Sequence, residues 1–155
     1  MKGFIIKNVM LLKWISVAVL GLSLVLFFLP YVTVFGESFN PVQMIDFYNK
    51  NQVRSDGVFE VSFGFILPVA LTALSAIILV SKIKTTKSII CSILNVLSVC
   101  VYLLFFNVTF LDINSENIGF GLVGNIVIAC LGIVLPIVII VLNRKATKET
   151  ISTEI

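Results

Sequence analysis

Residues 119–142 read GFGLVGNIVIACLGIVLPIVIIVL, a stretch without one charged side chain. At 1.5 Å per residue, a helix of this length exceeds the roughly 30 Å hydrocarbon core of a bilayer. Working outward, three more apolar runs of similar length appear at about Leu12–Leu29, Val61–Val80 and Ser88–Phe106, and Lys13 is their only charge. The pattern predicts an all-α integral membrane protein: a four-helix antiparallel transmembrane bundle forming one membrane domain over residues 1–155. Outer loops fall at 30–60 and 107–118, a cytosolic loop at 81–87 and a cytosolic tail at 143–155.

Composition agrees. Hydrophobic residues make up 59% of the chain and charged residues 12%, with a mean hydropathy of +1.13, outside the balance of a water-soluble domain.

The charges are sorted along the chain. Lys2, Lys7, Lys13, Lys82, Lys84, Lys87, Arg144, Lys145 and Lys148 share one side of the four spans, leaving only Lys50 and Arg54 on the other. Short loops rich in Lys and Arg stay in the cytoplasm, so both termini are expected to be cytosolic in a multi-pass protein of the cell membrane. Six of the eight acids, Glu37, Asp46, Asp56, Glu60, Asp112 and Glu116, then lie outside. Lipid is the expected partner, together with another membrane protein or a second copy of the chain; nucleic acid is not. The first run is too long for the apolar stretch of a cleaved signal peptide, and Lys13-Trp14 reads as an interfacial anchor, so an uncleaved first helix is expected.

Most mass outside the spans belongs to the first outer loop. Tyr31-Val-Thr-Val and Ser38-Phe39 flank Gly36-Glu37, which predicts a small extracellular hairpin. Asn40-Pro41 reads as an N-cap followed by Pro at the first helical position, with Val42, Ile45 and Tyr48 as the apolar face of a surface helix. The loop is expected to act as a lid over the outer helix ends. A weak internal duplication runs alongside: Leu26-Phe27-Phe28 and Val32-Thr33 parallel Leu104-Phe105-Phe106 and Val108-Thr109, and Phe63-Gly64 parallels Phe120-Gly121.

No Asp, Glu or Arg interrupts a span and His is absent from the chain, which argues against proton-coupled transport, ion pumping and intramembrane hydrolysis. Cys91, Cys100 and Cys130 form no Cys-x-x-Cys pair and read as packing residues. No catalytic residue, cofactor site or metal site is expected. What remains are polar and small stripes. The third span carries Ser88, Cys91, Ser92, Asn95, Ser98 and Tyr102; the fourth carries Gly121, Gly124, Asn125, Ile128, Gly132 and Pro136; the second carries Gly64, Pro68, Thr72 and Ser75. Small residues let helix backbones approach closely in lipid. Ser92, Asn95, Ser98, Tyr102, Gly121, Gly124, Asn125 and Gly132 are therefore the candidate packing or pathway residues. Asn95 and Asn125 sit at different depths, so each is expected to bond a Ser, Thr or carbonyl on a neighbouring helix. Pro68 and Pro136 are expected to kink their helices.

The leading functional expectation is a non-catalytic accessory, assembly or immunity-type component that packs against another membrane protein. A small homo-oligomeric channel or carrier is the alternative. A second alternative is an outward-facing sensor of cationic ligands, with Glu37, Asp46, Asp56 and Glu60 as contacts.

Overall fold

The computed structural model describes residues 2–34, 36–50, 62–81, 85–109 and 118–152. The chain is mostly helical, and four of its helices are long and apolar enough to cross a membrane. They are α1 (Lys2–Leu26), α3 (Leu67–Val80, entered through a π-helical turn at Ser62–Ile66), α4 (Thr85–Thr109) and α5 (Phe120–Ser152). Between α1 and the π-helical turn lie strands β1 (Val32–Val34) and β2 (Glu37–Phe39) and the short helix α2 (Pro41–Lys50). The long helices form a ring: α1 lies against α3 and α5, α4 lies against the same two, and α3 meets α5 more lightly across the middle.

The helices overrun the apolar stretches from which they were read. α1 begins ten residues before Leu12, and α5 continues to Ser152, so most of the predicted tail is helix. Lys and Thr sustain a helix once nucleation has been met by the apolar part, so apolarity marks the span and not the helix end.

Pro68 stands at the second position of α3, directly after the π-helical turn, so it lies where π-helix passes into α-helix within one span. Pro136 lies inside its helix, α5. In the duplicated pairs, Phe63-Gly64 lies in the π-helical turn that opens one span and Phe120-Gly121 opens α5, so the two hold like places with different local geometry.

The hairpin is present, shifted by one residue. Val34 pairs with Glu37, so Glu37 belongs to β2, and Gly36 takes the turn with φ of 81°, a value open to glycine at little steric cost. Tyr31 N–H donates to Phe39 O at 2.8 Å and extends the pairing, and Val32 forms a further antiparallel bridge with Ile118. α2 starts on a reciprocal cap, with Gln43 N–H donating to Asn40 Oδ1 at 2.9 Å and Asn40 N–H to Gln43 Oε1 at 3.0 Å. Its buried face is Pro41 and Met44 with Ile45 half-buried, whereas Val42 is exposed, so the predicted apolar face is rotated by about one residue. Met44 wins because it reaches the core cluster around Tyr31 and Phe65.

Candidate functional site

Two polar clusters lie inside the ring. The first surrounds Asn95, which is fully buried. Its Nδ2 donates to Ser75 Oγ on α3 at 3.0 Å and to its own helix at Cys91 O at 2.8 Å. Its amide also rests against Gly132 on α5: a Cβ added there would stand 2.5 Å from Asn95 Cγ and Oδ1, and 2.7 Å from Leu20 Cδ2 of α1. All four long helices therefore converge around the contact of Asn95 with Gly132. Ser98 and Thr72 continue the cluster, their hydroxyls 3.2 Å apart, with Ser98 Oγ donating to Pro68 O at 2.9 Å. Cys91 donates from Sγ to Ser75 O, while Cys100 and Cys130 face outward.

Ser92 stands apart from this interior. Its Oγ donates to Ile133 O at 3.2 Å on the wall of an open apolar groove of about 350 Å³ between α4 and α5, formed mainly by Ile89, Ile93, Val96, Leu97, Ile133 and Ile137.

The second cluster closes the end of the helix ring that carries the hairpin. Asn125 Nδ2 donates to Tyr31 Oη at 2.6 Å and to Gly121 O at 3.1 Å. Here the partner from another element is a tyrosine just past α1, not the Ser, Thr or carbonyl of a neighbouring helix expected. Asn125 keeps clear of Asn95, as their depths imply. The Tyr31 ring meets Phe65 edge-on at 5.2 Å and Phe27 at 6.3 Å, within a core that also holds Val32, Met44, Val69, Tyr102 and Leu122. Burial pushes the Tyr31 phenol up to about 12, so it is neutral at physiological pH and keeps its proton to donate. The Tyr102 hydroxyl lies beside it, near enough to act on it electrostatically but outside hydrogen-bonding geometry.

Glycines of the fourth stripe carry this seam. Gly119 N–H donates to Tyr31 O at 2.8 Å and Gly121 N–H to Pro30 O at 2.9 Å. A Cβ at Gly121 would press on Leu29 O and the Tyr31 ring, and one at Gly124 on Leu26. The stripes are thus spent on contacts within one chain.

Of the four candidate acidic contacts, Asp46 pairs with Lys50 at 2.6 Å along α2, Glu37 is exposed on β2, and Asp56 and Glu60 lie outside the described residues. Among the described residues no three His, Cys, Asp or Glu side chains come together as a metal site would require.

The sequence reading missed two residues, Tyr31 and Lys13. Trp14 is exposed, as an interfacial anchor should be, but Lys13 is only 7% exposed and reaches across to α3, donating to Val80 O and Ser81 O at 2.8 Å each. The signal was there. Val9, Lys13, Ser16, Leu20 and Ser23 recur every three or four residues and all are buried, so Lys13 belongs to the packed face of α1.

The chain matches no known family, curated protein or solved structure. Its geometry alone carries the functional argument.

Proposed function

We propose that the four long helices cross the cell membrane as an antiparallel bundle, with both termini cytosolic and the hairpin and α2 outside. Two contacts support the alternation of direction: Lys13, halfway along α1, meets the end of α3, and Leu26 at the end of α1 meets Gly124 near the start of α5. The distribution of Lys and Arg supports the orientation.

Within that frame the chain is a non-catalytic accessory, assembly or immunity-type component that works by packing against another membrane protein. The observation that carries this reading is the packing of Asn95 against Ser75 of α3 and Gly132 of α5, with Leu20 of α1 against the same glycine, which sets residues from all four helices across the bundle interior at that depth. A homo-oligomeric channel or carrier would have to run its pathway between copies, past aliphatic outer faces such as Ile93, Val96, Leu97, Val134 and Ile137. Large aliphatic side chains repel water and ions and suit lipid or another apolar helix.

Crosslinking in native membranes, followed by identification of what is captured, tests the reading. A distinct membrane protein recovered in stoichiometric yield is the expected result, and recovery of the chain alone or only with itself would overturn it. Asn95→Cys, in a background freed of Cys91, Cys100 and Cys130, is expected to stay unlabelled by a membrane-impermeant thiol reagent in intact cells. Rapid labelling would mean that the axis is wet and would favour the channel.

A further inference from the structure

Two ammonium groups converge on one residue at the end of α3. Lys13 Nζ donates to the carbonyl oxygens of Val80 and Ser81 at 2.8 Å each, and Lys87 Nζ, from the first turn of α4, donates to Ser81 Oγ at 2.6 Å. A helix C-terminus offers about half a unit of negative charge. Two full positive charges exceed it. The ion pair found among the described residues, Lys50–Asp46, belongs to α2, so among those residues neither ammonium is paired with a carboxylate. Lys13 spends two of its three N–H groups on carbonyls and Lys87 one on a hydroxyl, which leaves both with donors to spare.

The surroundings are apolar and exposed. Met10, Leu11 and Trp14 of α1, with Ile77 and Val80 of α3, present their side chains outward beside this corner. An uncompensated pair of cations at the end of a span, bordered by exposed hydrocarbon, complements a molecule with an anionic head and an apolar tail.

We propose that this corner binds a phosphate-bearing anion between Lys13 and Lys87, supplied by the headgroup of an anionic phospholipid whose chains lie along the exposed apolar side chains of α1 and α3. The site rests on the membrane placement proposed above. It is a lipid site of defined position on the cytosolic side, distinct from general attraction to a charged leaflet.

Trp14 is the only tryptophan of the chain, and Lys13 Nζ lies 5.2 Å from its ring centroid, so its fluorescence reports on this corner. The protein is reconstituted in phosphatidylcholine vesicles containing a minor fraction of phosphatidylglycerol, with acyl-chain bromine placed either on the phosphatidylglycerol or on an equal amount of the phosphatidylcholine. Brominated phosphatidylglycerol is expected to quench Trp14 as though enriched about fivefold, the effect of about one lysine engaged near a membrane surface. Lys87→Gln, at a half-buried position, is expected to remove most of that preference, and Lys13→Gln to do the same if the variant folds. Equal quenching by the two lipids, or an undiminished preference in Lys87→Gln, would overturn the site. Loss of the preference on adding inorganic phosphate would assign the site to a soluble phosphate anion, and its persistence would assign it to the lipid. Absence of quenching by either brominated lipid would count against the membrane placement itself, which separates that failure from failure of the site.

Discussion

Tyr31→Ala is expected to destabilise the protein by about 3–5 kcal/mol, the usual cost of emptying a buried aromatic site, with the loss concentrated at the end that carries the hairpin. Tyr31 is fully buried, meets Phe65 and Phe27 edge-on, and sits where the lid, α1 and α5 converge. Its backbone also holds Phe39 and Gly119, so a void at its ring undermines three separate chain segments. Tyr31→Phe isolates the hydroxyl. That variant keeps the ring contacts and strips Asn125 Nδ2 of one of two acceptors, at a cost of about 1 kcal/mol, between the average for hydrogen bonds in a membrane and the penalty for an orphaned donor. Shape therefore outweighs the hydrogen bond by severalfold. Unfolding in mixed micelles titrated with dodecyl sulfate measures both losses, and hydrogen exchange locates them: the Gly119 and Gly121 amides should lose protection in Tyr31→Ala while amides near Asn95 keep theirs. Equal losses in the two variants would show that the hydroxyl, not the ring, fastens the lid.

The four long helices were legible because hydropathy over 18 or more residues is a strong signal that needs no tertiary information. The inward faces of α4 and α5 were legible for a related reason. Ser, Asn and Gly at steps of three and four can only be reconciled with lipid if they turn away from it, and Asn95, Ser98, Asn125 and Gly132 do so. What escaped depended on who meets whom. Lys13 looked like a residue that stretches to the interface, since nothing local reveals that the carbonyls ending α3 lie within its reach. Tyr31 looked like an ordinary strand residue, because its role depends on Asn125, 94 positions away. The rotated face of α2 has the same origin: Val42, Ile45 and Tyr48 satisfy helical periodicity, but the core cluster around Tyr31 and Phe65 receives Met44. Periodicity finds a face, and packing partners decide which face is used. The small-residue stripes show this most clearly, since sequence identified them without telling whether their partner was another protein or the next helix of the same chain.

Gly132→Val is expected to cost about 3 kcal/mol and Gly132→Ala only about 1 kcal/mol, and the difference measures how rigidly Asn95 is held. Alanine improves on glycine in a helix by about 1 kcal/mol. Against this stands the overlap of its Cβ with Asn95 and Leu20, within the roughly 1–3 kcal/mol of overpacked cores. Leu20 can yield, because the atom in contact is the far end of a flexible side chain. Asn95 has little freedom, tied through Nδ2 to Ser75 Oγ and Cys91 O. Valine adds two more methyl groups to the same filled space, and β-branching fixes their direction. The two positions should therefore be coupled. In Asn95→Ala the obstruction is gone, so Gly132→Val introduced into that background is expected to cost about 1–2 kcal/mol less than it does in the parent chain. Dodecyl sulfate unfolding of the four corners of this cycle supplies the number. Additive losses would mean that Asn95 and Gly132 do not touch, and the packed interior on which the proposed function depends would then lose its central contact.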